Sequence, residues 1–230
     1  MFPLKDTIPH RSPPLSTVFL LVLNTLVFFY ELSLPPERLK ALFFNFGLIP
    51  LRYLSHEWAL SVGLSPYNPL PFLTAMFLHG GWFHFISNMW SLWLFGDNVE
   101  DRMGHLRFLA FYLLSGLAAS LIHMFFNPLS PVPTIGASGA ISGVMGAYMV
   151  LFPTSRIITL VPFFFLPLLL EIPAVIFLGL WFLSQFFSGL FSLLAPSSFG
   201  GIAWWAHVGG FLFGILSLPF FKKKRRYYLW

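Results

Sequence analysis

Residues 15–33 read LSTVFLLVLNTLVFFYELS, nineteen residues whose one formal charge is Glu31 near the end. A run of about 20 mostly apolar residues is what a helix needs to cross the hydrocarbon of a bilayer. Comparable runs recur at 82–99, 106–126, 138–152, 172–193 and 201–221. Only 9% of the 230 residues are charged, against about 25% in soluble domains. The chain therefore reads as an all-α integral membrane protein of six transmembrane helices. No room remains for a separate soluble domain. The expected organisation is a short cytoplasmic tail over 1–14, one membrane domain over 15–221 and a basic cytoplasmic tail over 222–230. Lys5 and Arg11 before the first run resemble a signal peptide, but ELSLPPER follows instead of a small-residue cleavage site, so the first helix is read as uncleaved. With no cysteine in the sequence, disulfides and thiolate chemistry are excluded.

Two stretches are less regular. The connection 34–81 contains LKALFFNFGLIPLRYL, which suits the membrane interface better than a crossing. The run 157–170, IITLVPFFFLPLLL, is apolar but interrupted by Pro162 and Pro167. It is read as either interfacial or the start of a longer fifth helix.

Orientation follows from Lys and Arg. One side of a six-span chain collects ten of them, including Lys5, Arg102, Arg107, Arg156 and the run 222–226; the other has Arg38, Lys40 and Arg52. The rich side is taken as cytoplasmic, with both termini on it, in a cell (inner) membrane. The KKKRR run is then a topology anchor against anionic lipid, not a nucleic-acid site.

This orientation sorts the polar residues by depth. Ser138 opens the fourth segment from the outer side. His207 lies about two turns into the sixth. His84 and Asn88, at i and i+4 on the second, share a helix face. The fourth segment has fifteen residues and rises only about 22 Å, so NPLSPVPTIGA before it must dip below the outer surface. Irregular backbone at that depth has to be buried by protein or line a wet cavity. Gly139 and Gly143 on the fourth segment, and Gly210 and Gly214 on the sixth, are small-residue pairs that let backbones approach closely in lipid. Such an approach brings the Ser138 hydroxyl within reach of His207, as a nucleophile and its base require. The N–H groups at a helix start have no intrahelical acceptor. The Ser138 N–H, His84 and Asn88 are therefore candidate oxyanion donors. No Asp or Glu lies at this depth to orient His207, so a Ser-His dyad is expected.

Each residue also has a plainer reading: Ser138 as a helix cap, the glycines as packing, His207 as a buried core histidine. The convergence of four costly intramembrane polar groups at one depth favours function. Metal or haem binding by His79, His84, His123 and His207 competes, without an HExxH motif or a carboxylate among them. Glu100 and Arg102 fall on the cytoplasmic side, where an ion pair or loop hydrogen bonds are expected.

The motifs HGGWFHFISN (79–88), VEDRMG (99–104, with Glu100, Arg102 and Gly104), GASG (136–139, with Gly136 and Ser138) and AHVGGFLFG (206–214) resemble, in order, those of the rhomboid intramembrane serine proteases. The resemblance implies a six-helix bundle with a short central fourth helix and cleavage of transmembrane segments of other proteins. It implies Ser138 as nucleophile and His207 as base, with no metal or cofactor. It also implies a preference for a small residue before the scissile bond, and a fifth helix that acts as gate. Two departures stand out. Ser142 replaces an aromatic that in many relatives stacks on the histidine, which leaves His207 less firmly held. No Trp-Arg pair is evident in 34–81. A rhomboid-like protein that only binds or escorts membrane clients, and a small transporter or cofactor-binding membrane protein, are the alternatives.

Overall fold

The structure, a computed structural model, describes residues 2–9, 12–163, 166–194 and 202–223. Its framework is helical. Helix α1 spans Leu15–Ser33, α6 Trp82–Met103, α7 His105–Phe126, α8 Ser138–Leu151, α9 Ala174–Leu194 and α10 Trp204–Phe221. Among the described residues, four helices are long and apolar enough to cross a membrane: α1, α7, α9 and α10. Helix α6 has the length, but His84, Asn88, Asp97 and Asn98 dilute its apolar character. Helix α8 has only 14 residues, a rise of about 21 Å. It is buried without interruption from Gly139 to Tyr148, between α6, α7 and α10.

The expectation of an all-α chain is corrected by a three-stranded antiparallel sheet, in the order β1 (Phe2–Asp6), β2 (Arg156–Phe163), β3 (Leu166–Pro173). Its register runs from Arg156 opposite Pro173 to Phe163 opposite Leu166. The described residues of the run at 157–170 are thus strand, not an extension of α9. Pro162 and Pro167, which face each other in the register, would each remove a hydrogen-bond donor from a helix and kink or break it. The β-branched Ile157, Ile158, Thr159 and Val161 favour extended backbone. Helix α9 starts only after Pro173. Part of the expected N-terminal tail is a strand, with Phe2 opposite Leu160 and Asp6 opposite Ile157. Arg11 and residues 224–226 of the basic run lie outside the described residues.

The connection 34–81 folds into short helices, α2 (Pro36–Phe46), α3 (Pro50–Leu54), α4 (His56–Ser61) and α5 (Pro71–Thr74), followed by a 3-10 turn at Ala75–Phe77. None is long enough to cross. Prolines at the first or second position of α2, α3 and α5 start them. Arg52 is buried and donates from Nε to the Ser65 carbonyl (2.8 Å) and from Nη1 to the Asn45 carbonyl (3.0 Å), which fastens this layer. The irregular segment before α8 is pinned to the same layer: Leu48 and Thr134 exchange backbone hydrogen bonds, and the Gly136 N–H donates to the Ala75 carbonyl at 2.8 Å. Of NPLSPVPTIGA, however, only Ala137 is buried, and Pro128, Leu129, Pro131 and Val132 are exposed, so the segment is tied down near its end and not buried by protein along its length.

The bundle has two chemically different ends. At one, the Glu100 carboxylate holds the start of α1, accepting from the Ser16 and Thr17 N–H groups (both 2.8 Å) and the Thr17 hydroxyl (2.7 Å). The Lys223 N–H, just past α10, donates to the Arg102 carbonyl. Asp6 accepts from the Tyr148 hydroxyl (2.5 Å) and the Asn98 amide (3.0 Å). The starts of α6, α8 and α10 meet at the other end. Between the ends, Leu92, Phe95, Phe108, Phe111, Tyr112, Val144, Tyr148 and Phe211 form the dry core.

Candidate active site

Ser138 is the first residue of α8, and its neighbour Ala137 occupies the cap position. The capping reading of Ser138 is therefore excluded. Its Oγ lies 2.8 Å from His207 Nε2. Because α10 begins at Trp204 and not at 201, His207 sits in the first turn, higher than the two turns expected. The pairing of α8 with α10 depends on the glycines. A Cβ on Gly210 would strike the Gly139 carbonyl, and one on Gly214 the Gly143 carbonyl, so backbone rests on backbone. In lipid, where burying apolar surface gives helices little reason to associate, such close packing is a main source of cohesion. Gly139 and Gly143 also face α7: added Cβ atoms would meet the Ala119 Cβ at 2.6 Å and the Ser115 side chain.

The other ring nitrogen of His207 has a partner the sequence reading missed. Gln185 Oε1, on α9, lies 2.8 Å from His207 Nδ1, and Gln185 is buried. The Trp181 ring, one turn earlier on α9, lies 5.9 Å from the His207 ring, centroid to centroid. Ser142 is turned away, its hydroxyl donating to the Ser138 carbonyl at 2.6 Å. His207 therefore takes ring contacts from α9. The one glutamine of α9, the largest polar side chain of that helix, was the available signal, since an intramembrane polar group seeks a partner.

His84 and Asn88 converge on Gly136. The Gly80 N–H donates to His84 Nδ1 (3.4 Å), which leaves the ring proton on Nε2. A Cβ on Gly136 would lie 2.5 Å from that Nε2 and 3.7 Å from Asn88 Nδ2. Asn88 Nδ2 is buried and has no hydrogen-bond partner. Gly136 has φ +125, a conformation that side chains rarely adopt. Two donors and the start of α8 thus face one small space beside Ser138. His79 supports this wall: its N–H donates to both oxygens of the buried Glu31 carboxylate (3.1 and 3.2 Å), and its ring centroid lies 5.2 Å from that of His84. His123 instead contacts Thr134 Oγ1 at 3.0 Å. Among the described residues, no group of three or more His, Asp or Glu is placed to hold a metal ion. A cavity beside Ser138 is walled chiefly by small residues, among them Gly116, Ala119, Ser120, Ala140, Ala203 and Ala206.

Glu100, Arg102 and Gly104 do not join the site. Sixteen residues along α6 separate His84 from Glu100, about 24 Å of helix rise. Glu100 also contacts His105 Nδ1 at 2.5 Å. The Arg102 guanidinium lies 5.1 Å from the centre of the Phe152 ring. Gly104, with φ +81, makes the corner between α6 and α7, where the Lys223 side chain fills the space a Cβ would need. These residues tie the far end of the bundle together.

Residues 68–224 match the family model described as the rhomboid domain. The human presenilin-associated rhomboid-like protein, mitochondrial, is 30% identical over 175 residues, 72% of this chain and 40% of that protein. Rhomboid protein 1, mitochondrial, of Saccharomyces cerevisiae is 32% identical over 98 residues, 41% of this chain and 28% of its own. RHOMBOID-like protein 6, mitochondrial, of Arabidopsis thaliana is 39% identical over 77 residues, 34% of this chain and 24% of its own. The matched stretch thus spans between a quarter and two fifths of these relatives' lengths.

Proposed function

The chain belongs to the rhomboid family, and from that premise we propose that it is an intramembrane serine endopeptidase that cleaves transmembrane segments of other membrane proteins. The observation that carries the proposal is the 2.8 Å contact between Ser138 Oγ and His207 Nε2 at the joined starts of α8 and α10. Ser138 is the nucleophile and His207 its base. As Oγ attacks the peptide carbonyl, its proton passes to His207 Nε2. The new oxyanion takes hydrogen bonds from His84 Nε2–H, Asn88 Nδ2–H and the Ser138 N–H. His207 then gives its proton to the leaving amine, and a water, deprotonated by the same ring, releases the acyl group. The unpartnered amide of Asn88 supports this reading, because a buried donor without an acceptor is costly unless a reaction supplies one. The small-residue cavity beside Ser138 fits a small side chain before the scissile bond.

In the bilayer, α1, α6, α7, α8, α9 and α10 are the six crossings, with α8 the short central one. An even number of crossings puts both termini on one side, together with the arginine- and lysine-rich end, which is the cytoplasmic side in a cell membrane. The named relatives are mitochondrial, and the same charge argument there turns that end toward the matrix. The partners are substrate helices and the lipid around them.

Activity-probe labelling tests the proposal. A fluorophosphonate should label the purified protein in liposomes, and both Ser138→Ala and His207→Ala should abolish the signal while leaving the fold intact. No labelling of a folded wild type by this or a second serine-reactive chemotype would make the client-binding reading the better one.

A further inference from the structure

The chain of hydrogen bonds behind His207 runs in one direction only. The Trp181 carbonyl can only accept, so the Ser184 hydroxyl donates to it (2.6 Å). With its one proton committed, Ser184 Oγ must accept from its other partner, Gln185 Nε2 (2.9 Å). That fixes which end of the Gln185 amide faces α10: the oxygen, 2.8 Å from His207 Nδ1. An amide oxygen can only accept, so Nδ1 carries the ring proton. Nε2 is left with its lone pair toward Ser138 Oγ (2.8 Å). A backbone carbonyl of α9 thereby dictates, through two side chains, the one tautomer in which His207 can take a proton from Ser138.

We infer that Gln185 is a positioning residue that sets the tautomer and rotation of His207, so that the base is competent only when α9 is docked against α10. The inference rests on the serine-protease reading and adds a third member to the expected dyad. Gln185 plays the part that a carboxylate plays in Ser-His-Asp sites. A neutral amide suits this depth, because a buried carboxylate in a bilayer would need a compensating charge. Helix α9 has the smallest buried share of the four candidate spans. It holds the ring through Gln185 and Trp181, so a shift of α9 removes both at once.

The test compares Gln185→Met, which keeps length but has no acceptor oxygen, with Gln185→Glu, which keeps one. A base fixed in the wrong tautomer loses up to about 10⁴-fold in rate, and a ring freed to sample both should lose less, about 10–10²-fold. The maximal fluorophosphonate labelling rate of Gln185→Met should fall by that factor, with the probe's half-saturating concentration unchanged within error. Gln185→Glu should restore most of the rate. The 15N spectrum of His207 in detergent gives a readout independent of activity: the proton should sit on Nδ1 in wild type, and Gln185→Met should shift the population toward Nε2. Equal loss in both variants would make Gln185 a packing residue and overturn the inference, as would a wild-type spectrum with the proton on Nε2. If Gln185→Met fails to fold, the wild-type spectrum alone decides. An active wild type with an unaffected Gln185→Met would overturn only this inference. An unlabelled wild type would overturn the protease reading, while the spectrum still reports on Gln185.

Discussion

Gly136→Ala should disable the oxyanion side of the site, and it should do so through His84. The new Cβ would lie 2.5 Å from His84 Nε2 and 2.7 Å from Cε1, whereas ordinary van der Waals contact begins at 3.4 Å, so the ring must retreat by about 0.9 Å. A donor that sits about 3 Å from an oxyanion leaves hydrogen-bond range over such a distance. Loss of one oxyanion donor costs about 10²–10³ in rate in strong cases. Backbone strain adds a stability cost, because alanine at φ +125 is unfavourable by about 1–3 kcal/mol. That is worth about 2–4 °C of unfolding midpoint per kcal/mol in a chain of this size. The assay is a double-mutant cycle in liposomes, with fluorophosphonate labelling rates for wild type, Gly136→Ala, His84→Ala and the double variant. If the methyl acts by displacing His84, the double variant should be no slower than the slower single variant, within about threefold. Multiplicative losses would refute the reasoning and show that Gly136 matters for its own backbone.

Two predictions concern the far end of the bundle. Glu100→Gln must leave the Ser16 or the Thr17 N–H facing an amide nitrogen, at about 1–3 kcal/mol for the orphaned donor. The unfolding midpoint in detergent should fall by several degrees, while labelling per folded molecule stays at the wild-type rate; an unchanged midpoint would count against Glu100 as the clamp on α1. Burial pushes the Asp6 carboxyl above its ordinary value of 3.8. The folded state then binds more protons than the unfolded one between that value and the raised one, so stability falls as pH rises through this window and is flat above it. Asp6→Asn should remove that slope in midpoint measurements across about pH 4–8, and a parallel slope in both proteins would assign it to another group.

Hydropathy alone reveals where α1, α7, α9 and α10 lie, because a span needs a run of apolar residues whatever it packs against. The start of α8 was legible for a second reason: proline-rich backbone and Gly136 precede it. Hydropathy cannot separate apolar strand from apolar helix, so β2 and β3 were not read from the sequence, although Pro162, Pro167 and the β-branched run favour extended backbone. The pairing of Phe2–Asp6 with β2 joins residues some 150 positions apart, and no local pattern carries it. The start of α10 was misjudged because Ile202 and Ala203 are as apolar as the helix they precede. Ser138, His207, His84 and Asn88 could be read because each is polar at a common depth. Gln185 could not be placed, since its facing His207 depends on the rotation of α9 about its own axis, which hydropathy does not report.

The two halves of the site are fastened to different parts of the molecule. The oxyanion wall hangs on the layer around α1 to α5: the Glu31 carboxylate holds His79, the Ala75 carbonyl holds Gly136 and the Leu48 backbone holds Thr134. The base is oriented from α9. Ser138 stands between them on α8, whose backbone is locked to α10 by glycine contacts that leave no slack. A substrate helix that displaced α9 on its way in would thus leave nucleophile and oxyanion donors in place while loosening the base. On the proposed protease reading, binding should precede competence, and peptide-bond attack should wait until α9 returns Gln185 to His207. Fluorophosphonate labelling tests that order. A cross-link that ties α9 to α10 in the docked position should leave the reactivity of Ser138 toward this small probe intact while blocking cleavage of a transmembrane peptide. Loss of both would mean that α9 must move even for the chemical step.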